Sequence, residues 1–437
     1  MGKDLEKLNS IPKGTTDYYG REAKLRDYVL GKIQKNYKKY GFESLYTPII
    51  ENAEVFHGFH GEGEKLLFNL KDRDNENYVL KYDSTVPLAR VVSMHDDISL
   101  PYKRYQLQQS YRDDEIDKGH FREFIQCDGD VVGCNSLATD AEFVMLSYDG
   151  LKELGFENFT IRLNHRAIIK AIAEKSGLMN KEDTLEIQRA IDYADKVIKN
   201  GTEGIRSDLE KRNINGKVIN IIIDLVDISN NSKDINDNLD KIDNYFQGNE
   251  NAKKGVDELR EITSLIPDSV LDKTKIDFTL ARGADYYTGF IIEAVINDLK
   301  LGAVLGGGRY DNLVEAFNNK KIPAVGMAFG MERIIVAMKE LGLDKAIDIE
   351  NPKFMLYAND KIDKTLMDLT KKLREKYDVS LITSEDLSLE EAKEYCKNTG
   401  VDLFARYDKE NGISVEKIKN NDDYYHNVKK YVKELTL

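Results

Sequence analysis

Arg104-Tyr-Gln-Leu-Gln-Gln-Ser-Tyr-Arg112 and Arg122-Glu-Phe-Ile-Gln-Cys-Asp-Gly-Asp-Val-Val-Gly133 flank the polar tract Asp113 to Gly119. Two β-rich runs on either side of such a tract read as an antiparallel hairpin with a long mobile loop. Alternate side chains on a strand share a face, so Arg122, Phe124, Gln126, Asp128 and Asp130 would point one way, with Arg112 joining them from the opposing strand. That face would hold cations, an aromatic plane, an amide and two carboxylates, a composition suited to a zwitterionic or phosphorylated small molecule. Taken alone, the segment reads rather as the solvated polar face of a half-buried sheet.

Upstream of the hairpin, Leu25, Val29, Ile33 and Tyr37 recur at helical spacing between Arg21 and Tyr40, and Gly41 supplies a C-cap. Ser44-Leu-Tyr-Thr-Pro-Ile-Ile50 and Tyr78-Val-Leu-Lys-Tyr82 read as short strands. Downstream, a helix is expected from Ala138 to Leu154. Amphipathic helical texture then dominates to Leu265, including the Asn/Asp-rich tract Asp227 to Asn244, read as a solvated helical surface or loop. Strand character returns from Ile276 to Val304 and over Pro323 to Glu332, followed by a helix to Leu341. After Asn351-Pro352 the pattern becomes strand–helix–strand–helix, and Ser388-Leu-Glu-Glu391 is a capping-box signal. The expected architecture is an α+β domain with an antiparallel β-sheet over residues 1–345, a helical insertion at about 170–265, and a C-terminal α/β domain over 352–437.

The chain has 437 residues, which at ~150 per domain is compatible with roughly two to four domains. With 77 acidic against 64 basic side chains the net charge is −13, which disfavours a general nucleic-acid coat but leaves room for a local basic groove. No stretch approaches the roughly 20 apolar residues of a membrane span, and the N-terminal residues lack the apolar core of a secretory signal. Three cysteines are too few for a disulfide framework and lie at no metal-ligand spacing to histidine. The expectation is a soluble, cytoplasmic, multidomain protein without a membrane partner.

Two further runs carry chemistry. Leu280-Ala-Arg-Gly-Ala-Asp-Tyr-Tyr-Thr-Gly289 is followed by Gly306-Gly-Gly-Arg-Tyr-Asp311. An Arg-Gly pair lets a cation project where backbone passes close to a ligand, and paired tyrosines can close a pocket around a polar heterocycle. The glycine run is neither a Walker nor a dinucleotide fingerprint. Gly326-Met-Ala-Phe-Gly-Met-Glu-Arg333 is a small-residue strand running into a helix with Arg333 in its first turn. A cation there opposes the helix dipole, so it calls for an anionic partner: either a phosphate or a neighbour such as Glu332. Lys81-Tyr-Asp-Ser-Thr85 adds a carboxylate and a hydroxyl able to bind an ammonium.

In this order the segments resemble the histidine-specific class II aminoacyl-tRNA synthetases across nearly the whole chain. Tyr46-Thr-Pro-Ile-Ile-Glu51 is similar to motif 1, which builds the dimer interface in that family; Tyr111 to Asp130 is similar to motif 2, and Gly326 to Arg333 to motif 3. The Arg282 and Gly306 runs match the two histidine-specific signatures, and Lys81 to Arg90 is nearer the eukaryotic and archaeal branch. The resemblance implies ATP-dependent activation of histidine and transfer to tRNA(His) by a homodimer, with Mg2+ accompanying ATP. It implies that Arg112 and Arg282 act on the α-phosphate, and that Arg333 and Arg122 lie along the triphosphate side. Phe124 would stack on adenine and Asp114 accept near its amino group. Asp83, Thr85 and Gln126 would hold the α-ammonium, Asp130 and Tyr287 would read the imidazole, and Arg282, Tyr286 and Tyr310 would complete the histidine site. Departures from the pattern are His120 and Lys81 at usual arginine positions, Ala284 at a leucine and Asn312 at a glycine. Two alternatives remain beside it: an inert paralogue regulating ATP phosphoribosyltransferase, and an active paralogue with an acceptor other than tRNA.

Overall fold

The computed structural model describes residues 8–58, 61–178, 180–198, 201–281, 286–347, 354–359, 362–409, 412–418 and 422–436. Two compact units divide the chain, 1–346 and 347–437.

In the first unit the strands are β1 (Glu43–Ser44), β2 (Ile50–Asn52), β3 (Asn69–Lys71), β4 (Asn77–Leu80), β5 (Tyr102–Tyr111) and β6 (Glu123–Val132). They continue as β7 (Phe159–His165), β8 (Thr274–Ile276), β9 (Phe290–Ile296), β10 (Leu305–Arg309) and β11 (Ala324–Gly330). Eight of these form one sheet in the order β1-β5-β6-β11-β10-β9-β7-β8. Its centre is antiparallel, and only the outermost pairs, β1 with β5 and β7 with β8, run parallel. The expected antiparallel sheet is therefore mixed at its edges. The remaining three strands pair as β2-β4-β3.

Helix α1 (Gly20–Lys39) buries the four apolar residues whose spacing announces it, and the chain leaves it through Gly41 at φ +78°. One face of the sheet is closed by α1 together with α3 (Leu137–Glu153), which follows α2 (Thr85–Met94). A Cβ on Gly129 of β6 would stand 2.1 Å from the Tyr37 ring, so only glycine lets α1 approach that closely. The opposite face of β6 is left for the site.

The segment Ser44 to Ile50 is not one strand. Pairing with β5 stops after Ser44, Pro48 has no N–H to give, and the Thr47 amide donates instead to the Gln108 side chain at 3.1 Å. The tract Asp113 to Gly119 is pinned rather than open: Asp113 N–H donates to Leu66, and Asp117 and His120 exchange backbone bonds.

Between β7 and its neighbour β8 lie α4 (Arg166–Ser176), α5 (Lys181–Val197), α6 (Gly201–Lys211), α7 (Gly216–Asn230), α8 (Ile235–Tyr245) and α9 (Glu250–Ser264), followed by one helical turn at Asp268–Leu271. The Asn/Asp-rich tract spans the end of α7 and most of α8, with Leu239 and Ile242 buried. Helix α10 (Met331–Glu340) leaves β11 directly.

The second unit is a four-stranded sheet, β13-β12-β14-β15, with β12 (Phe354–Ala358), β13 (Val379–Thr383) and β14 (Leu403–Asp408) parallel and β15 (Gly412–Lys417) antiparallel. Helices α11 (Lys364–Arg374) and α13 (Asp422–Thr436) bury Leu366, Leu373, Val428 and Val432 with Leu356 and Leu403, while α12 (Leu389–Asn398) packs Ala392 and Cys396 against Met355, Tyr357 and Phe404. Ser388 and Glu391 form the capping box their spacing announces.

Candidate active site

The register of the hairpin builds the floor of the site. Arg104, Gln106, Gln108 and Ser110 of β5 stand opposite Asp130, Asp128, Gln126 and Phe124 of β6, two polar rows face to face. A cavity of about 350 Å3 lies above them, lined by Asp83, Thr85, Arg112, Gln126, Asp128, Asp130, Tyr286, Tyr287 and Tyr310, with Gly306, Gly326 and Ala328 among the residues of the next strands. It shares Arg112, Gln126, Gly306 and Ala328 with an adjoining cleft of about 240 Å3, whose walls include His120, Phe124, Glu293, Gly330 and Arg333.

In the first cavity the polar groups are strongly ordered. The Arg104 guanidinium has no exposed surface; it is ion-paired with Asp130 Oδ2 at 2.6 Å and donates to the Ser84 carbonyl at 3.0 Å. The Tyr310 hydroxyl donates to Asp130 Oδ1. Burial pushes the Asp130 carboxyl up, with Arg104 and Tyr310 acting against it. Burial also pushes Asp128 up to about 7, opposed by Arg104 and reinforced by Asp130 and Asp83. Lys81, equally sequestered, is lowered to about 8 by desolvation and donates to Gln108 at 3.1 Å. Asp83 Oδ1 accepts the N–H groups of Thr85 and Val86 at the start of α2, and its Oδ2 lies 3.5 Å from the Tyr286 hydroxyl. The phenols of Tyr286, Tyr287 and Tyr310 are all held above their ordinary value, chiefly by burial, and stay neutral donors.

Arg112 spans the two cavities. Its guanidinium lies over the Tyr82 ring at 4.3 Å and the Phe124 ring at 5.1 Å, and its Nε donates to the Tyr82 carbonyl at 3.3 Å. At the far end Arg333 donates to the Ala303 carbonyl at 2.9 Å. Cβ atoms on Gly119 and Gly302 would each come within 2.9 Å of the Arg333 side chain, so glycines clear its path. Glu332 is not its counter-ion: Glu332 is held by Arg26 of α1 in a two-pronged pair at 2.8 and 2.5 Å. The carboxylate next to Arg333 in the chain is thus committed to Arg26.

The structure thus brings together Asp83, Thr85, Gln126, Asp130, Tyr286, Tyr287, Tyr310 and Arg112, and puts Phe124 and Arg333 next door. Asp114 and Arg122 are not among the residues lining either cavity. Arg122 precedes β6, pairs with Asp113 at 3.0 Å and donates to the Asp114 carbonyl, and the Asp114 carboxylate lies 3.6 Å from His120. These contacts hold the root of the loop. Arg282 lies outside the described residues, as does Ala284. Asp128, placed on the ligand-facing row by alternation but given no role by the motifs, lines the first cavity, and Arg104, which the sequence reading did not single out, supports Asp130 from within the sheet. The signal was present as the alternating Arg104, Gln106, Gln108 and Ser110, a polar row facing a polar row.

The family model for histidyl-tRNA synthetase matches residues 14–334. The histidine–tRNA ligase of Christiangramia forsetii is 37% identical over 396 residues, 84% of this chain and 85% of the relative. That of Korarchaeum cryptofilum is 37% identical over 337 residues, 76% of each. A crystal structure of histidyl-tRNA synthetase from Nostoc sp. PCC 7120 aligns with a TM-score of 0.75 and 25% identity over 97% of this chain and 99% of that one. An ATP phosphoribosyltransferase regulatory subunit/histidyl-tRNA synthetase from Bacillus halodurans C, at 20% identity and a TM-score of 0.71 over 91% of this chain and 97% of that one, shares the fold. With Tyr286, Tyr287, Gly306 and Tyr310 lining one cavity and a family model matched over residues 14–334, this chain belongs to the histidyl-tRNA synthetase family.

Proposed function

We propose that this chain activates L-histidine with ATP, releasing pyrophosphate, and transfers the histidyl group from the adenylate to tRNA(His). The observation that carries this reading is the pair of joined cavities, one floored by carboxylates and roofed by phenols, the other flanked by an aromatic ring and Arg333, with Arg112 between them.

In this reading Asp83, Thr85 and Gln126 hold the α-ammonium, while Asp130 and Tyr287 read the imidazole, with Tyr286 and Tyr310 shaping its pocket. A ring N–H that meets a buried acceptor rejects apolar amino acids, which would leave that acceptor unpaired. Phe124 stacks on adenine, Arg333 takes the triphosphate, and Asp114 and Arg122 act from the loop that borders the nucleotide cleft. As the histidine carboxylate attacks the α-phosphorus and the bond to the pyrophosphate oxygen breaks, negative charge spreads over the phosphate oxygens. Arg112, and Arg282 by its place in the family motif, stabilise that charge as fixed forks of donors. No general base is required, because the attacking carboxylate is already ionised. Transfer to the terminal ribose hydroxyl of tRNA then relies on pre-positioning.

Among the described residues no group of three or more His, Cys, Asp or Glu side chains could hold a metal ion. Mg2+ would enter carried on the nucleotide phosphates, and Glu293 is a carboxylate of the cleft wall that could face it. When bound, the ion would neutralise phosphate charge. We further propose a homodimer: Tyr46 and Ile50, in the segment resembling motif 1, are 72% and 55% exposed. Residues 352–437 are assigned to tRNA contact through Lys371, Lys372 and Arg374 at the end of α11, and the site of action to the cytoplasm. No helix among the described residues is long and apolar enough to cross a membrane.

Aminoacylation of total tRNA with each amino acid tests the reading at once. Charging with histidine alone is expected. Wild-type protein without histidine-dependent pyrophosphate exchange in the presence of Mg·ATP would refute it, and exchange without charging would point to another acceptor.

A further inference from the structure

Asp128 is 3% exposed and lines the first cavity. Its Oδ1 accepts from Gln126 Nε2 at 3.3 Å, whereas its Oδ2 has no hydrogen-bond partner among the described residues. A buried carboxylate oxygen left without a donor is costly, so its persistence beside a cavity calls for a donor that arrives with the ligand. The neighbouring carboxylates are already engaged. Asp130 is ion-paired with Arg104 and accepts from Tyr310; Asp83 Oδ1 accepts two N–H groups of α2.

The register shows where that donor would sit. Asp128 is opposite Ala328 of β11, and Ala328 is opposite Gly306 of β10, so small residues continue the row beside it. A Cβ at Gly306 would meet Glu293 at an ordinary 3.6 Å, and Gly306 and Ala328 both line the cavity at this level. One step along, Gly326 is filled by Asp130 itself, whose Oδ1 stands 1.9 Å from where a Cβ would be, and Tyr287 lies 3.2 Å from the corresponding point over Gly308. The ring-binding end is therefore at Asp130 and the nucleotide end beyond Gln126, with Asp128 midway, roughly 7 Å from each along the strand.

We propose that Asp128 is a further substrate-contacting residue, whose Oδ2 accepts an N–H of the α-ammonium of the bound amino acid. This rests on the histidine-activating reading above and adds to it a second carboxylate, beside Asp83, that faces the substrate's ammonium. The cost of ionising Asp128 arises from burial and from Asp130 and Asp83, and is only partly offset by Arg104 and Lys81. An incoming ammonium completes the balance.

The test uses the full chain and histidine-dependent pyrophosphate exchange, with two competitive inhibitors as probes. L-Histidinol keeps the ammonium and lacks the carboxylate; imidazolepropionate keeps ring and carboxylate and lacks the ammonium. Asp128→Asn is nearly isosteric and turns the acceptor toward the ligand into a donor. It is expected to raise KM for histidine and Ki for histidinol about ten- to a hundredfold, with Ki for imidazolepropionate and KM for ATP changed less than about twofold. Asp128→Ser, checked by circular dichroism, guards against a folding defect and should give the same split. Equal weakening of both inhibitors would place the contact at the ring, and unchanged values would leave Asp128 outside the site; either overturns the proposal. Absence of exchange in the wild type would instead fail the underlying reading.

Discussion

Replacing Gly326 with alanine tests how the floor of the cavity is held. An ideal Cβ at this position would lie 1.9 Å from Asp130 Oδ1 and 3.0 Å from the Gly129 carbonyl oxygen. Two backbones of a sheet cannot part by more than an ångström there, so the carboxylate must swing away. In doing so it gives up the Tyr310 hydroxyl and the 2.6 Å contact with Arg104, a guanidinium with no exposed surface to fall back on. Breaking such a buried pair costs about 3 to 5 kcal/mol, and a displaced carboxylate that keeps part of its attraction should lose about 3. The matched control is Gly306→Ala, whose Cβ would meet Glu293 at an ordinary 3.6 Å and should change stability by less than about 1 kcal/mol. The chain has no tryptophan, so urea unfolding is followed by far-UV circular dichroism. Both variants should raise KM for histidine, since both positions line the cavity, but only Gly326→Ala should also lower the unfolding midpoint. Equal midpoints for the two variants would refute the argument that Asp130 is locked in place by the missing side chain beside it.

Arg26→Met should destabilise the first unit by about 3 kcal/mol or more by stranding Glu332, and the double variant Arg26→Met/Glu332→Leu should recover much of that loss in the same unfolding assay. Asp128 ionises near 4 when unfolded and near 7 in the fold, so it detracts from stability progressively as pH rises between those values. Asp128→Asn should therefore gain stability relative to wild type between pH 5 and pH 8, by up to about 4 kcal/mol, and a constant difference across that range would contradict the assignment. Native protein treated with iodoacetamide should be modified at Cys134 and spared at Cys127 and Cys396, whose buried thiols are pushed up, the latter to about 11; peptide mass mapping reads the outcome.

Local signals were legible where one segment decides its own structure. Helix α1 follows from Leu25, Val29, Ile33, Tyr37 and Gly41, and the capping box of α12 from Ser388 and Glu391, because these elements need only their own residues and one apolar surface. The hairpin was legible from its two runs, and its alternation places Gln126, Asp128 and Asp130 on one face. What alternation cannot tell is register. Arg104 became the partner of Asp130 only through a pairing that a shift of one residue would have reversed. For the same reason Arg122 does not continue the row: pairing ends at Glu123, and its guanidinium turns to Asp113 at 3.0 Å. The tract Ser44 to Ile50 has strand composition, but Pro48 and the bond that the Thr47 amide donates to the Gln108 side chain end its pairing. Glu332 is claimed by Arg26, 306 positions away in the chain, a distance over which no sequence pattern speaks.

The central seam of the large sheet joins β6 to β11, bringing Asp130 beside Gly326. A ribosome working from the N-terminus completes the hairpin long before the strand that flanks it exists, and must first deliver the helices between β7 and β8. Until residue 330 emerges, the inner edge of β6 has no neighbour, and its carboxylates stay in water at little cost. Closing that seam dehydrates them and carries the entropy of a very large loop, which makes it a slow event. The nascent enzyme thus holds an open sheet edge from the completion of β6 until β11 emerges, and chaperone dependence or aggregation of truncated chains should change abruptly once β11 is included.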